Sequence, residues 1–307
     1  MTRWSAALTR AGIHEPRLRQ DYDAQRRLVR RFDPHAYLAV RLLLPARLHP
    51  PVVAAVAFMH ETDVLIDSGE VNTRQGTLGS WEREVTEALK QDSGNATLRT
   101  LADTVRRHPD MADRVRDFLN GAQLEATWTG ADTEADFQTY VDTYSLPALM
   151  LTASLIAPPR ASDRAAPFHE HCRRLIGAWQ RIDHLADLRE DARARTVGIP
   201  YRALAEYGVT PEDLRTQPSD ATAVDLLVRA QAELAGAALN ACEGLPDLVE
   251  DEFRPFLRAL ISVQLLRLEV LRRKGGAVLD GGARPPAVAA ARVLLREAVR
   301  AWRLRRR

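Results

Sequence analysis

The chain has 307 residues, 46% of them apolar, enough to bury a sizeable core in one large domain or two smaller ones. Its 43 basic and 41 acidic side chains leave a formal charge of +2, which gives no basis for nucleic-acid binding. Two cysteines, Cys172 and Cys242, make no disulfide framework and fit a reducing cytoplasm, the expected location. No apolar run reaches the length of a membrane span, so no integral membrane segment is expected, and MTRWSAALTRAG lacks the long apolar core of a signal peptide.

Helical signals follow one another along the chain. PPVVAAVAFMHETDVLIDS, residues 50–68, opens on proline and carries apolar residues at helical spacing. Residues 96–128 read as two helices broken at His108–Pro109. Residues 134–157 read as helical with a kink at Pro147, and residues 162–193 as one long helix. Two more are expected at 219–242 and 251–273. From about Gly275 the chain loosens into GGAVLDGGARPP, a linker, before an Arg-rich helix at 286–307 that reads as a solvated end. No alternating strand and no internal repeat is found. The chain therefore reads as one all-α domain over residues 1–275, a helical bundle around a central cavity, followed by the linker and final helix over 276–307.

One stretch raises a physical question. DHLADLRED places Asp183, Asp187 and Asp191 four residues apart, on one face of a helix. Like charges at that spacing repel by roughly 0.2–0.5 kcal/mol per exposed pair, and more where water is excluded. Water, neighbouring arginines (Arg181, Arg189, Arg193, Arg195) or a divalent cation would each offset the cost. A second cluster tips the balance. ETDVLIDSGE holds Asp63 and Asp67, again four apart, on a helix whose VVAAVAF flank is apolar. Carboxylates aimed inward from a buried helix need a strong partner. Two such helices facing one another suit Mg²⁺, a hard cation that binds through a few carboxylates plus substrate phosphates.

Four segments in order resemble the squalene and phytoene synthases, the head-to-head trans-prenyltransferases. AYLAVRLLLP followed by FMHETDVLID is similar to the family's first block, and LADTVRRHPDMADRVRDFLNGAQLEATW to its middle block. QRIDHLADLREDARARTVGIP resembles the second aspartate block, and YGVTPEDLR the segment after it. The resemblance covers most of residues 30–275. It implies a single all-α isoprenoid-synthase domain, with two Asp-x-x-x-Asp motifs facing across a cavity and Mg²⁺ as cofactor. By resemblance Asp63, Asp67, Asp187 and Asp191 are the catalytic carboxylates, with Asp183 joining them as metal ligand in place of an asparagine. Gln180 falls on the family's glutamine, Glu125 near its acidic position, and Arg193 in its basic segment.

The departures are of one kind. Val64 stands where the first motif has a second aspartate, His60 where it has arginine, Val56 where it has tyrosine. Thr196 stands for an arginine, with Arg195 one residue early, and Gly198 for a tyrosine. Tyr144, Leu146 and Leu149 replace small residues and narrow the cavity. The metal carboxylates stay while groups for a second diphosphate go. The expectation is therefore a secondary-metabolic transferase that ionises one short allylic diphosphate, dimethylallyl diphosphate foremost. It would prenylate an aromatic natural-product acceptor such as a carbazole. A head-to-head squalene- or phytoene-type synthase and a terpene cyclase are the alternatives. Arg41, Arg193, Arg195 and His60 are the candidate phosphate contacts. Tyr37 and Tyr144, with Tyr140, Trp128 and Trp179, are candidate lining residues, and Glu125 a candidate base or salt-bridge partner. No nucleic acid is expected as a partner, a partner or acidic-surface contact of the Arg-rich end is the minor alternative, and the chain would be a monomer or homodimer.

Overall fold

Proline and short acidic or hydroxyl side chains set the starts of many helices. The computed structural model describes residues 3–69, 71–216 and 220–306. In chain order the first helices are α1 (Arg3–Arg10), α2 (Pro16–Phe32), α3 (Pro34–Leu43), α4 (His49–Asp67) and α5 (Val71–Ala88). Then come α6 (Ala96–Arg107), α7 (Met111–Glu125), α8 (Glu134–Tyr140), α9 (Leu146–Ala153), α10 (Ala165–Ala186) and α11 (Leu188–Arg193). The last are α12 (Tyr201–Glu206), α13 (Pro211–Arg215), α14 (Ala221–Asn240), α15 (Arg254–Lys274) and α16 (Ala287–Leu304). Glu15, Asp33, Asn95 and Asp220 each accept two backbone N–H groups at a helix start, and Thr133 and Thr210 form capping boxes. Among the described residues no strand forms; one isolated bridge joins Gly130 to Val197.

Two helices organise the rest. α4 is buried from His49 to Phe58 except at half-buried Val56, and packs against α2, α6 and α5. Phe58 meets Trp81 of α5 and Phe118 of α7 in the first core. α10 packs against α14 and α15, and its Phe168, Leu175, Ile182 and Leu185 fill the second core. α9 lies between the two, touching α4, α7 and α10. Each carboxylate motif thus sits at the end of a helix locked by apolar burial on its other faces.

The structure agrees with the all-α expectation and revises its parts. The break at His108–Pro109 is present, with His108 as C-cap of α6. The expected long helix over 162–193 begins at Ala165 and opens at Asp187, whose φ −105° and ψ 14° leave the α region. Backbone bonds from Asp187 N to Asp183 O and from Asp191 N to Asp187 O, both 2.9 Å, keep the two pieces joined. The expected kink at Pro147 becomes a π-helical turn, Val141–Ser145, just before it. Proline has no N–H to bond back with, which frees the preceding turn to widen. Gly275–Asp280, expected as linker, is a 3₁₀ segment with Val278 and Leu279 in the second core. Positions 1, 219 and 307, at the ends of expected elements, lie outside the described residues, as does Glu70.

Candidate active site

The four-residue spacing does what helical geometry requires of it. Asp63 and Asp67 share a face at the C-terminal end of α4, while Thr62, one residue away, is buried against α5 and accepts from Trp81 Nε1 at 3.0 Å. Asp67 is exposed and Asp63 half-buried. Burial pushes the Asp63 carboxyl up to about 6; a hydrogen bond from Tyr144 opposes the rise and the Asp67 charge adds to it. The Tyr144 hydroxyl donates to Asp63 Oδ1 at 3.0 Å. Tyr144 reaches it from the π-turn, which lies close against α7 at Gly121. A Cβ there would collide with the Thr143 carbonyl oxygen, so no larger residue admits this approach.

Across from α4 stand Asp183, Asp187 and Asp191. Asp183 is paired with Arg267 of α15 at 2.5 Å and also hydrogen-bonded to Trp179. Burial still raises its pKa against the pull of Arg267. Burial likewise raises Asp187, and the charges of Asp191 and Asp183 add to the rise. Asp191 Oδ2 lies 3.6 Å from His184 Nδ1. Gln180 Nε2 lies 3.3 Å from His184 Nε2, and Gln180 Oε1 accepts from Ser145 Oγ at 3.2 Å. With the imidazole proton assigned to Nδ1, His184 accepts from Gln180 and faces Asp191 with its N–H. Gly198 explains one departure from the expected motif. A Cβ at 198 would enter the His184 ring, so the space of a side chain there is taken by this histidine.

An aromatic and acidic group joins the two sides. The Tyr140 ring lies 5.7 Å from Tyr144, 6.4 Å from His184 and 4.2 Å from Trp128. Glu125 of α7 is hydrogen-bonded with Tyr140, and its Oε2 is buried without a partner. Burial raises the Glu125 pKa, Tyr140 and His184 oppose the rise, and the Asp63 and Asp67 charges add to it. Contacts therefore run from Asp63 through Tyr144, Tyr140 and His184 to Asp191.

The remaining candidates divide. His60 stacks on Phe32 with centroids 4.0 Å apart, one turn before Asp63. Val64 is 48% exposed beside the acidic pair. Arg193 and Arg195 are exposed at the end of α11, without a partner among the described residues. Arg195 has φ 63°, the left-handed position after a helix, and the bond from Thr196 N to Asp191 O closes the turn around it. Tyr37 and Arg41 are not brought to this group. One turn apart on α3, they face the other way: Arg41 bonds His49 Nδ1 at 2.8 Å and covers the Trp4 ring, and Tyr37 bonds Arg26. Sequence reasoning missed Arg267 and His184. His184 had a signal, lying one turn after Gln180 and two before Asp191; Arg267, on a helix 80 residues downstream, had none.

Among the described residues no three carboxylate, imidazole or thiol groups converge closely enough to hold a metal ion by themselves. The donors nevertheless fit Mg²⁺. They are hard oxygens, and Mg²⁺ commonly uses one or two carboxylates and completes its shell from water and phosphate. Position adds to this. Asp67 ends α4 and Asp187 caps the C-terminus of α10, where the helix dipole disfavours negative charge by about 0.3–1 kcal/mol each.

The all-α bundle that carries these residues has the fold of the squalene and dehydrosqualene synthases among solved structures. The profile of the family described as squalene/phytoene synthase matches residues 29–298, and the chain belongs to this family, whose members transfer prenyl groups. It is 25% identical over 285 residues to the bifunctional protein CrtB/UppS of Streptomyces coelicolor, covering 89% of this chain and 49% of that protein. It is 24% identical over 205 residues to 15-cis-phytoene synthase of Synechococcus elongatus, covering 64% of this chain and 66% of that one. The chain thus spans between about half and two thirds of these relatives. The structure of a dehydrosqualene synthase in complex with ligand shares the fold, with a TM-score of 0.79 at 19% identity over 92% of this chain and 96% of the other.

Proposed function

We propose that the protein is a Mg²⁺-dependent prenyltransferase that ionises an allylic prenyl diphosphate between α4 and α10–α11 and couples the resulting cation to a second prenyl diphosphate. The observation that carries this is the line of contacts from Asp63 to Asp191, with acidic pairs at its two ends and tyrosine rings between. The named relatives support the choice of a head-to-head coupling. Asp63, Asp67, Asp187 and Asp191 would hold the metal, with Asp183 sharing its charge with Arg267. Bound Mg²⁺ would neutralise the diphosphate as the C–O bond breaks. Arg193 and Arg195, exposed and without a partner among the described residues, would orient the leaving diphosphate. Tyr144, whose hydroxyl donates to Asp63, and Tyr140 beside it would border the allylic cation and keep water from it. Loss of a proton from the coupled cation leaves an intermediate that still carries the second diphosphate; ionisation of that diphosphate and loss of a second proton give the hydrocarbon, and Glu125, with a buried oxygen free to accept, would be the base.

One observation favours a second acceptor. Around the first motif, Val64 is apolar and His60 is committed to a ring stack, so α4 offers little to a second diphosphate. An electron-rich ring such as a carbazole, with dimethylallyl diphosphate as donor, would suit that wall. Incubation with Mg²⁺ and each of the C5, C10, C15 and C20 allylic diphosphates, with and without a carbazole, separates the two. A C30 or C40 hydrocarbon from a single long donor supports the first reading. Turnover that requires the ring and prefers the C5 donor replaces it, and release of diphosphate with a cyclised donor alone refutes both. Asp63→Ala/Asp187→Ala should abolish every product.

A further inference from the structure

The last helix carries a surface that the site does not use. Its inner face packs on α15 and α3, with Glu297 and Ala301 buried. Its outer face repeats at Val288, Leu295, Val299 and Trp302, steps of seven, four and three that draw one stripe along a helix. All four are exposed, Leu295 by 66% and Trp302 by 51%. Leu38 and Leu42, one turn apart on α3, are exposed too. Arg305 Nη2 donates to the Leu42 carbonyl oxygen at 3.3 Å, so the end of α16 adjoins that part of α3.

Along α16 itself the exposed charge has one sign, and the half-buried Glu252 ahead of α15 lies near Arg305 at the end of α16. Between Arg284 and Arg306 there are seven arginines and a single acid, Glu297. Glu297 presents no charge outward. It is fully buried, and its Oε1 accepts from Arg296 Nε at 2.9 Å and Arg300 Nη1 at 2.6 Å. Arg292 and Arg303 border the stripe, and the Arg306 guanidinium covers the Trp302 ring at 3.7 Å. An apolar stripe with tryptophan, edged by arginines and with no exposed acid on its own helix, is complementary to an apolar layer beneath phosphates. Among the described residues no helix is long and apolar enough to cross a membrane, so this helix would lie along a surface.

We propose that α16, with the exposed end of α3, docks the protein on an anionic lipid bilayer. The stripe enters the boundary between headgroups and acyl chains, and the arginines bind lipid phosphates. The face is oriented by Glu297, which holds Arg296 and Arg300 to one side of the stripe.

The full chain is sedimented with vesicles of phosphatidylcholine, and with vesicles containing about one third phosphatidylglycerol. Binding at least about tenfold tighter to the anionic vesicles, and weakened by added salt, is expected. Leu295→Ser/Trp302→Ser should weaken that binding about tenfold or more without lowering the melting temperature, since both side chains are exposed. Arg303→Gln should cost about fivefold on anionic vesicles and nothing on neutral ones. Equal recovery with and without anionic vesicles overturns the proposal, as does binding that the double variant leaves unchanged. A dimer in light scattering that the double variant dissociates, with no vesicle binding, assigns the face to a second copy instead. The readout needs no substrate, so it stands apart from the reaction proposed above.

Discussion

Replacing Asp63 by asparagine should stabilise the protein and abolish its activity. Asparagine keeps the shape of the side chain and an oxygen for the Tyr144 hydroxyl, whose bond to Asp63 is 3.0 Å. It removes only the charge. Burial holds the Asp63 pKa at about 6 against an ordinary 3.8. At about 1.4 kcal/mol per pH unit, ionising it in the folded protein costs about 3 kcal/mol. The sign follows from the direction of the shift. A raised pKa means that the folded state binds the proton more tightly, so this contribution to stability is fully present below pH 3.8 and gone above about 6. Asparagine keeps the neutral condition at every pH. The variant and the parent should therefore melt together near pH 4 and separate by about 4–6 °C at pH 7.5, taking about 2 °C per kcal/mol for a chain of this size. Scanning calorimetry at the two pH values measures this. Adding Mg²⁺ and inorganic pyrophosphate at pH 7.5 should narrow the gap, because only the parent gains from the ligands. A variant that melts below the parent at pH 7.5, or a gap that does not change with pH, refutes the reasoning.

Other outcomes follow from single contacts. Tyr144→Phe removes a donor that lowers the Asp63 pKa, so the acid limb of the activity profile should move to higher pH by up to about one unit, read from kcat/KM against pH. Gly198→Ala should cost about 1–3 kcal/mol in urea unfolding, because its methyl meets the His184 ring, and His184→Ala in the same chain should recover most of it. Arg195→Gly relieves a left-handed residue and should raise stability by about 0.5 kcal/mol while increasing KM for the prenyl diphosphate, seen by thermal melting and steady-state kinetics. Mg²⁺ alone should shift the melting temperature little, and Mg²⁺ with pyrophosphate by several degrees, since among the described residues no three groups converge to bind the metal unaided.

Local patterns in the chain were legible, and long-range ones were not. The start of α4 at a proline-rich turn, the break at His108 and the shared face of Asp63 and Asp67 all follow from steric rules that act within a few residues. So does the all-α character. The resemblance to the family added the expectation that the two aspartate helices face each other. What escaped was decided by distant partners. Nothing near Asp183 announces Arg267, and no spacing on α3 tells that Tyr37 and Arg41 turn toward Trp4 and Arg26. Helix α5 was not anticipated because VNTRQGTLGSWEREVTEA carries two glycines and little apolar spacing; its place comes from Trp81 and Val85 docking on the first core. The opening at Asp187 was hidden by the regularity of the ladder itself.

Tyr144 reaches Asp63 from a π-turn, Val141–Ser145. A π-turn holds one residue more than the α-turn it replaces. Deleting one residue there would return the segment to α-helix and swing the following side chains by about 100° around its axis. The hydroxyl beside Asp63 would leave, and the floor between α4 and α10 would take a new shape, with every aspartate untouched. A lineage built on this fold thus has a route to a reshaped wall beside Asp63 through a single-codon loss, without passing through a form that has lost its carboxylates.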